Sequence, residues 1–386
     1  MKHYMSVVAI VLVCLANFCA CSKSSEEEFY AHTAQDRDTD TITDDNYDYH
    51  IPVIFHVFYQ DASDSCQYIS YKRIQELVAH LNELYKGNVY NYETYGSSLD
   101  MHVVFELAEE NEQNQKLAQP GVEYVKWTGT YPIDHSEFMN DQTRKYVGYV
   151  WDPNEYVNVM LYPFAVKENS SSVTLGISVM PFKGAGYPQI EGLSENSRAT
   201  LSKSNLKFAY CLSLNSNYIY NESNRYTDPT NGREVFLNFI TDANATFAHE
   251  MGHYLGLHHV FAEKDYEAVE NCDDTDYCTD TKSYNRPAYN TWLEQYFKDK
   301  SESEGVLYVS DMVKRSNDSG DSWSAVNLMD YEVCMNFQFT AQQRQRVREV
   351  LYYSPLIPGP KKQRPENRSA QPEDDGPLDL PVVIVK

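Results

Sequence analysis

The pattern of apolar and polar positions predicts a strand–helix–strand opening for the folded part of the chain. Residues 51–59 form a short apolar run rich in β-branched and aromatic side chains, which is typical of a strand. After Ser70, apolar side chains recur at the three- and four-residue spacing of one helix face: Ile74, Leu77, Val78, Leu81 and Leu84. Further β-like runs follow at 101–107, 157–162, 175–180 and 235–240. This order predicts an α/β layer, a twisted sheet backed by helices.

A final helix is predicted after a long stretch without periodicity. Residues 263–324 are rich in Asp, Ser, Asn and Tyr and show no repeating apolar spacing, so we expect long loops there. Thr340, with Gln343 three positions later, forms the capping-box pattern that opens a helix. The side chains expected on its buried side are Val347, Val350 and Leu351.

Beyond Ser354 the apolar pattern gives way to Pro, Lys, Glu and Asp. We expect residues 354–386 to form a largely disordered tail, because this composition buries too little apolar surface to order the chain. The closing apolar residues 380–385 could add a strand, whose partner the sequence does not identify.

The charge balance narrows the class of protein. The 386 residues are 42% hydrophobic and 23% charged, which is ordinary globular composition. The formal net charge is −24, so we expect no nucleic-acid partner, because a phosphate backbone requires a basic surface. The same charge opposes electrostatic adhesion to anionic lipid.

The first twenty residues have the pattern of an export signal. Residues 5–20 carry no charge, a run too short for a membrane span but suited to the apolar core of a secretory signal. The run leads into Cys21 and resembles a bacterial lipoprotein signal, in which cleavage before the cysteine is followed by acylation of its thiol. Cys21 fits this better than Cys19, because a small residue precedes it. A plain secretory signal cut nearby is the alternative.

The expected location follows from that resemblance. A multiply acylated Cys21 would hold the protein stably at the bacterial outer membrane. The acidic residues 26–28 resemble the export signal of some surface-exposed lipoproteins, which would place the domain outside the cell. We expect a signal peptide at 1–20, an acidic spacer or short pro-segment at 21–50, a folded domain at 51–353, and then the tail.

The candidate metal-binding residues are concentrated in residues 246–259, which contain four of the eleven histidines. His249 and His253 are four residues apart, so on a helix both imidazoles lie on one face and can bind one ion. Gly256 permits a left-handed turn that ends the helix and brings His259 to the third ligand position. Three neutral nitrogens leave a fourth position open, as expected for a catalytic zinc ion, and a structural zinc would normally include thiolates.

Glu250 lies next to the first histidine and is the candidate general base. Zinc lowers the pKa of bound water toward about 7, and a carboxylate at this place can accept the proton and later deliver it to the leaving amine. His258 is one residue short of the third ligand position, and we read it as a supporting or surface residue.

These residues resemble a known clan of enzymes. His249-Glu250-x-x-His253-x-x-Gly256-x-x-His259 is similar to the extended zinc signature of the metzincins. That resemblance implies a methionine in a tight turn below the histidines. Asn327-Leu328-Met329-Asp330-Tyr331, followed by Cys334 and Phe339-Thr340-x-x-Gln343, is similar to this turn in the pappalysin family. The implied fold is metzincin-like α/β (α+β): a twisted mixed sheet, a backing helix, an active-site helix, and a loop-rich C-terminal subdomain with the Met-turn and final helix.

The resemblance implies further roles. The Tyr331 hydroxyl would stabilise the oxyanion or tetrahedral intermediate, the alternative being a tyrosine that packs the turn. A disulfide would join Cys334 to Cys272 or Cys278. Asp276 and Asp280 would be calcium ligands or part of a solvated acidic loop.

The predicted function is therefore that of a zinc-dependent endopeptidase with one catalytic Zn²⁺ and a peptide or protein substrate. A surface lipoprotein that uses its metal site for binding without proteolysis is the alternative from another class, and the intact Glu250 argues against it. Zinc chemistry alone would also permit an enzyme that acts on a non-peptide bond. No feature of the sequence identifies the cleaved bond or the oligomeric state.

Overall fold

The first predicted strand is an inner strand of a mixed sheet in the computed structural model. The structure describes residues 47–87, 98–166, 173–198, 200–223, 225–227, 234–236, 241–303, 305–359 and 376–385. Within them, the sheet has seven strands: β1 Tyr49–Tyr59, β2 Val103–Leu107, β3 Val122–Lys126, β4 Val157–Tyr162, β5 Gly176–Val179, β6 Leu212–Asn215 and β13 Ile384–Val385. Their order is β13-β5-β6-β4-β1-β2, and β3 pairs with β1 beyond β2. The predicted mixed sheet with backing helix is confirmed.

Strand β1 is long because it has parallel partners along both edges. Its residue Phe55 lies opposite Val122 of β3 and Val159 of β4, while β2 pairs with the first half of the strand. Strand β6 continues the parallel part of the sheet beside β4. The direction then reverses, because β5 runs antiparallel to β6, and β13 runs antiparallel to β5. Strand β5 is thus the last strand of the main body of the sheet.

Helix α1, Tyr71–Lys86, packs on this sheet with the face that the sequence predicts. The apolar residues of the predicted face are all buried: Ile74, Leu77, Val78, Leu81 and Leu84. The Ser70 side chain accepts the Arg73 N–H at the N-cap, and Gly87 ends the helix with a φ of 71°. The caps at Ser70 and Gly87 therefore set both ends of helix α1, and its apolar face is the one buried.

The remaining elements are shorter and lie mostly in the C-terminal half. The other helices are α2 His135–Asn140, α3 Ala243–Tyr254, α4 Arg286–Glu302, α5 Val309–Met312 and α6 Ala341–Tyr353. Three two-stranded ribbons pair β7 Arg225–Thr227 with β8 Glu234–Phe236, β9 Glu263–Lys264 with β10 Glu267–Ala268, and β11 Lys314–Ser316 with β12 Ser322–Ser324. Helix α6 begins at the predicted capping box, with the Thr340 side chain accepting the Gln343 N–H.

The expectation of long loops over 263–324 was wrong in part, because two short ribbons, helix α5 and the longer helix α4 lie there. Asn285 caps α4 by accepting the Ala288 N–H, and Pro287 stands in its first turn, where a missing N–H costs nothing. Only Tyr289 and Leu293 of this helix are fully buried. So narrow a buried stripe leaves almost no periodic signal in the sequence.

The expectation of a largely disordered tail from Ser354 was also wrong in part. Residues 354–358 are buried against the domain, and β13 pairs with β5. The strand that the closing residues 380–385 could form is therefore present, and its partner is β5.

The predicted signal, Cys21 and most of the spacer lie outside the described residues. Among the helices that the structure describes, none is both long enough and apolar enough to cross a bilayer.

Candidate active site

Helix α3 places two of the three histidines. Asp242 caps it by accepting the Ala245 N–H, and the helix runs buried beside β5 and α1. The Phe247 ring meets that of Phe55 in β1 at 5.6 Å between centroids, which fixes the helix against the sheet. His249 and His253 consequently share the opposite face, as their spacing predicts.

The chain reverses after α3 at Gly256, whose φ is 89°. A side chain there would also collide with helix α6, because an added Cβ would lie 2.6 Å from Cγ2 of Val350. Glycine is thus required both for the left-handed turn and for the close packing. The reversal brings His259 back to the other two histidines.

The three imidazoles converge through the same nitrogen. Nε2 of His253 lies 3.0 Å from Nε2 of His249 and 3.0 Å from Nε2 of His259. Each Nδ1 faces an acceptor. Nδ1 of His249 lies 2.8 Å from the Leu328 carbonyl, and Nδ1 of His253 lies 2.7 Å from the Leu257 carbonyl. Nδ1 of His259 lies 2.8 Å from the Glu263 carboxylate. Each Nδ1 therefore carries the proton, and each Nε2 presents a lone pair to the common centre.

The donor set fits a metal cation. Burial lowers the pKa of all three histidines, that of His249 to about 4, so the neutral ligand form is favoured. Three lone pairs that face one another repel unless a cation lies between them. Zinc at 2.0–2.1 Å from each of three nitrogens in tetrahedral geometry would hold them about 3.3 Å apart, close to the observed spacing.

A second candidate group among the described residues is better explained as a surface ion cluster. Asp48, Asp100 and His102 come within metal-binding distance of one another but are partly exposed. Lys86 donates to Asp100 at 2.6 Å and already supplies a cation. This group therefore gives no support to a second metal site.

Glu250 lies beside the histidines and against strand β5. The side chain is buried, and its Oε2 has no hydrogen-bond partner among the described residues. Burial raises the pKa of this carboxyl well above its usual value. An added Cβ at Gly176 would lie 2.4 Å from Cγ of Glu250, so the glycine makes room for the carboxylate.

Met329 lies under helix α3, where the resemblance places it. It is fully buried, and an added Cβ at Gly252 would lie 2.4 Å from its sulfur. The turn is held by the Met329 N–H, which donates to Oδ1 of Asn327 at 2.9 Å, and by the Val260 N–H, which donates to the Met329 carbonyl at 3.2 Å. The backbone of Met329 is thus hydrogen-bonded to the segment that carries His259.

Tyr331 reaches the metal-binding face from the same turn. Its ring centroid lies 5.0 Å from that of His249 and 4.5 Å from that of His259. The Glu250 carboxylate is near enough to contribute to raising the pKa of Tyr331, after burial. The Arg286 guanidinium lies over the Tyr331 ring, 4.5 Å from its centroid.

The turn that carries Met329 and Tyr331 is held by the buried guanidinium of Arg315. Nε of Arg315 lies 3.5 Å from Oδ2 of Asp330, and the guanidinium donates to the carbonyls of Tyr331 and Val333 at 3.1 Å each. Asp330 also accepts the Tyr284 hydroxyl at 2.6 Å. Arg315 thus holds Asp330, which lies between Met329 and Tyr331, and the backbone of Tyr331 itself.

The predicted disulfide is absent from the part of the chain that the structure describes. Its five cysteines are all free thiols: Cys66, Cys211, Cys272, Cys278 and Cys334. Cys334 is buried within its own turn, with its sulfur 3.4 Å from the Asn327 carbonyl and 3.4 Å from the Asn336 nitrogen. Cys278 is held separately in the acidic loop, where its N–H donates to Asp276 at 2.9 Å.

The predicted calcium ligands are not brought together either. Asp276 accepts the Cys278 N–H and, at 2.8 Å, the Thr281 hydroxyl. Asp280 accepts the Thr340 hydroxyl at 2.7 Å and the Gln342 N–H at 3.0 Å. Both carboxylates are thus engaged by protein donors, and the described residues form no calcium-binding group around them.

Two residues that shape the site were missed in the sequence. Glu263 binds His259 from four positions later in the chain, and Gly176 makes room for Glu250 from a distant strand. An acidic residue shortly after the third histidine was a visible signal for the first. Gly176 had none beyond a glycine inside a β-like run, which often marks close approach of another group.

Residues 213–352 match the sequence model of a peptidase family, Peptidase_M43, described as pregnancy-associated plasma protein-A. The matched segment contains His249, His253, His259, Glu250 and Met329. The resemblance to the pappalysins is therefore confirmed over this segment. No curated protein sequence matches the chain.

Solved structures of Tannerella forsythia proteins are also similar. Mature mirolysin in complex with a cleaved peptide is 18% identical, with 78% of this chain and 90% of that chain covered and a TM-score of 0.45. A promirolysin mutant is 15% identical, with 86% and 89% covered and a TM-score of 0.47.

Proposed function

We propose that this protein is a zinc-dependent endopeptidase. The observation that carries the proposal is the convergence of three buried Nε2 atoms, those of His249 and His259 each 3.0 Å from that of His253, beside a buried carboxylate with an unpartnered oxygen. His249, His253 and His259 would hold the zinc ion. When bound, zinc supplies an electrophilic centre that polarises the scissile carbonyl and lowers the pKa of water.

The protein's own groups would perform the proton transfers. Glu250 accepts a proton from the attacking water and donates it to the leaving amine, a role suited to a buried carboxyl with a raised pKa. The Tyr331 hydroxyl donates a hydrogen bond to the oxygen on which negative charge develops. Met329 and the Arg315–Asp330 pair keep these groups in place. A protein that only binds metal would need neither the base nor the donor.

We further propose that the chain is exported and anchored through Cys21. The charge-free run of residues 5–20 that leads into this cysteine supports the proposal. Metabolic labelling with a radioactive fatty acid tests it: the wild type should incorporate label and Cys21→Ser should not. Equal labelling of the two proteins would contradict lipidation at this residue.

The endopeptidase is tested with the chain from Ser22 onward and a mixed peptide library read by mass spectrometry. Cleavage should occur within peptides, stop on addition of a zinc chelator, and return when zinc is restored. Cleavage that persists without metal would contradict the zinc mechanism. A chain that binds one zinc ion but cleaves neither peptides nor unfolded proteins would support the metal-binding alternative.

A further inference from the structure

Glu263 is a buried carboxylate next to the metal-binding histidines. Its Oε2 lies 2.8 Å from Nδ1 of His259, and its Oε1 lies 3.3 Å from Nδ1 of His258. The residue begins β9, and its N–H donates to the Thr275 hydroxyl at 3.0 Å, which fixes the backbone from which the carboxylate extends. One carboxylate thus spans two adjacent imidazoles.

This partner differs from those of the other two ligands. Nδ1 of His249 and of His253 each donates to a neutral backbone carbonyl, Leu328 and Leu257 respectively. Nδ1 of His259 alone among the three donates to a charged group. A carboxylate holds a ligating imidazole in one tautomer and makes its other nitrogen a stronger ligand.

The chain offers two histidines for the third position, and Glu263 contacts both. His258 is as buried as His259, and its Nε2 has no hydrogen-bond partner among the described residues. Its ring instead lies parallel to that of Tyr266, with centroids 5.4 Å apart, and its Nε2 is not among the three that converge. The shorter contact from Glu263 goes to His259, whose Nε2 joins the cluster.

We propose that Glu263 is a positioning residue that selects His259 over His258 as the third metal ligand and holds its Nε2 toward the metal. By binding both Nδ1 atoms from one rigid strand, it fixes the orientation of each ring at once. It also places one negative charge beside a site whose three ligands are neutral. This inference rests on the proposed zinc site.

The test is zinc affinity, measured by competition with a chromophoric chelator. Glu263→Ala should bind zinc about 10- to 100-fold more weakly than the wild type. Glu263→Gln should fall between them, because it keeps an acceptor for Nδ1 but loses the charge. Glu267→Gln, which alters an exposed carboxylate four residues away on β10, should match the wild type.

Two further readouts separate positioning from folding. The melting temperature of the zinc-free protein should be similar in wild type and Glu263→Gln. His258→Ala should leave zinc affinity unchanged in the wild type but weaken it further in the Glu263→Ala background, where His258 is free to compete as ligand. Unchanged zinc affinity in Glu263→Ala would overturn this inference alone. A wild type that binds no zinc would overturn it together with the proposed function.

A different observation, the position of β13, carries a second inference. Residues 376–385 are bound to the domain along their length. Nδ2 of Asn205 donates to the Gly376 carbonyl at 2.9 Å, and the Leu378 N–H donates to the Asn205 carbonyl at 3.0 Å. Leu380 and Val385 are buried. The segment is therefore docked as an added strand.

The edge of β5 that β13 covers lies next to the proposed catalytic centre. The Met180 N–H donates to the Val383 carbonyl at 2.8 Å, and Val385 lies opposite Ser178. Two residues further along β5 is Gly176, which contacts Glu250. The other edge of β5 is paired with β6, so only the edge that β13 covers could receive a peptide as an additional strand.

We infer that residues 376–385 compete with peptide substrates for the edge of β5 and restrain the activity. The inference rests on the proposed function. When the segment is docked, a peptide that runs antiparallel to β5 toward Gly176 meets a strand already in place. The apparent KM is then raised by the inverse of the fraction of molecules in which the segment is released.

Two variants release the strand by different means. Leu380→Asp removes a buried apolar anchor. Val385→Pro breaks the strand pairing, because Val385 lies opposite Ser178 at a hydrogen-bonded position of the ladder. Both should lower KM, about tenfold if the segment is released in a tenth of wild-type molecules. A synthetic peptide with the sequence of residues 378–385 should inhibit the released variants competitively. Asp379→Asn, which alters an exposed ion pair with Lys207 in the same segment, is the matched control and should leave KM near the wild-type value.

The outcomes separate the two proposals. If the wild type cleaves peptides and the released variants have an unchanged or higher KM, this inference is overturned and the endopeptidase stands. If every form binds zinc and none cleaves any peptide, both are overturned, because a freed edge has produced no activity.

Discussion

Gly176→Ala should impair catalysis without removing the metal. The added Cβ would lie 2.4 Å from Cγ, 2.6 Å from Oε1 and 2.8 Å from Cδ of Glu250. Ordinary contact begins at 3.4 Å, so the carboxylate and strand β5 must separate by about 1 Å. A displacement of about 1 Å from productive geometry costs on the order of 100-fold in rate. We therefore expect kcat to fall by about that factor.

The three atoms nearest to an added Cβ at Gly176 all belong to Glu250 and not to a histidine, so zinc content should remain one per chain. Overpacking of a buried site should also lower the free energy of unfolding by about 1–3 kcal/mol. The assay is kcat and KM on a peptide identified from the library, with zinc measured by mass spectrometry and stability by denaturant unfolding. Gly148→Ala is the control, because an added Cβ there meets nothing within 4 Å.

The kcat of Gly176→Ala relative to that of Gly148→Ala shows whether strand β5 positions Glu250. If Gly176→Ala is folded, holds zinc and keeps kcat within about twofold of the Gly148→Ala value, then contact with β5 does not position Glu250. An added Cβ at position 176 would then not lower kcat by displacing Glu250. Loss of zinc together with activity would also contradict it, because the damage would lie at the histidines.

Three further outcomes are expected. Tyr331→Phe should keep zinc and lower kcat by about 100- to 1000-fold, as loss of one oxyanion donor does, and an unchanged kcat would leave Tyr331 a packing residue. His259→Ala should weaken zinc binding strongly, and unchanged metal content would remove it from the ligand set. Burial raises the pKa of Asp276 to about 7, so the folded chain binds this proton more tightly than the unfolded chain between about pH 4 and 7. The free energy of unfolding should therefore fall across that window as pH rises, by at most about 4 kcal/mol at 1.36 kcal/mol per pKa unit. Asp276→Asn should flatten this dependence, and an unchanged pH profile would refute the assignment.

Local signals were sufficient where one element carried its own boundary and its own buried face. Helix α1 is an example: Ser70, the apolar spacing and Gly87 all act within one stretch of chain, and the structure has the helix where they predict it. The same holds for the start of helix α6 at Thr340. The histidine spacing on α3 likewise encodes its own geometry, because a helix places residues four apart on one face.

The features that the sequence did not show depend on partners far away in the chain. Gly176 is required by Glu250, which no local pattern reveals. Strand β13 exists because β5 offers an edge, and helix α4 is stabilised mainly through Tyr289 and Leu293. The disulfide prediction failed for a related reason. A resemblance carries over residue types but not the orientation of Cys334, which points into its own turn.

The most direct test of the central claim compares the wild type with Glu250→Gln for zinc content and for kcat/KM on one peptide. Gln keeps the size of the side chain but cannot accept the proton. We expect one zinc per chain in both proteins and a loss of about 100- to 10,000-fold in kcat/KM for the variant, the usual contribution of a general base. Full cleavage by zinc-loaded Glu250→Gln would contradict the proposed mechanism.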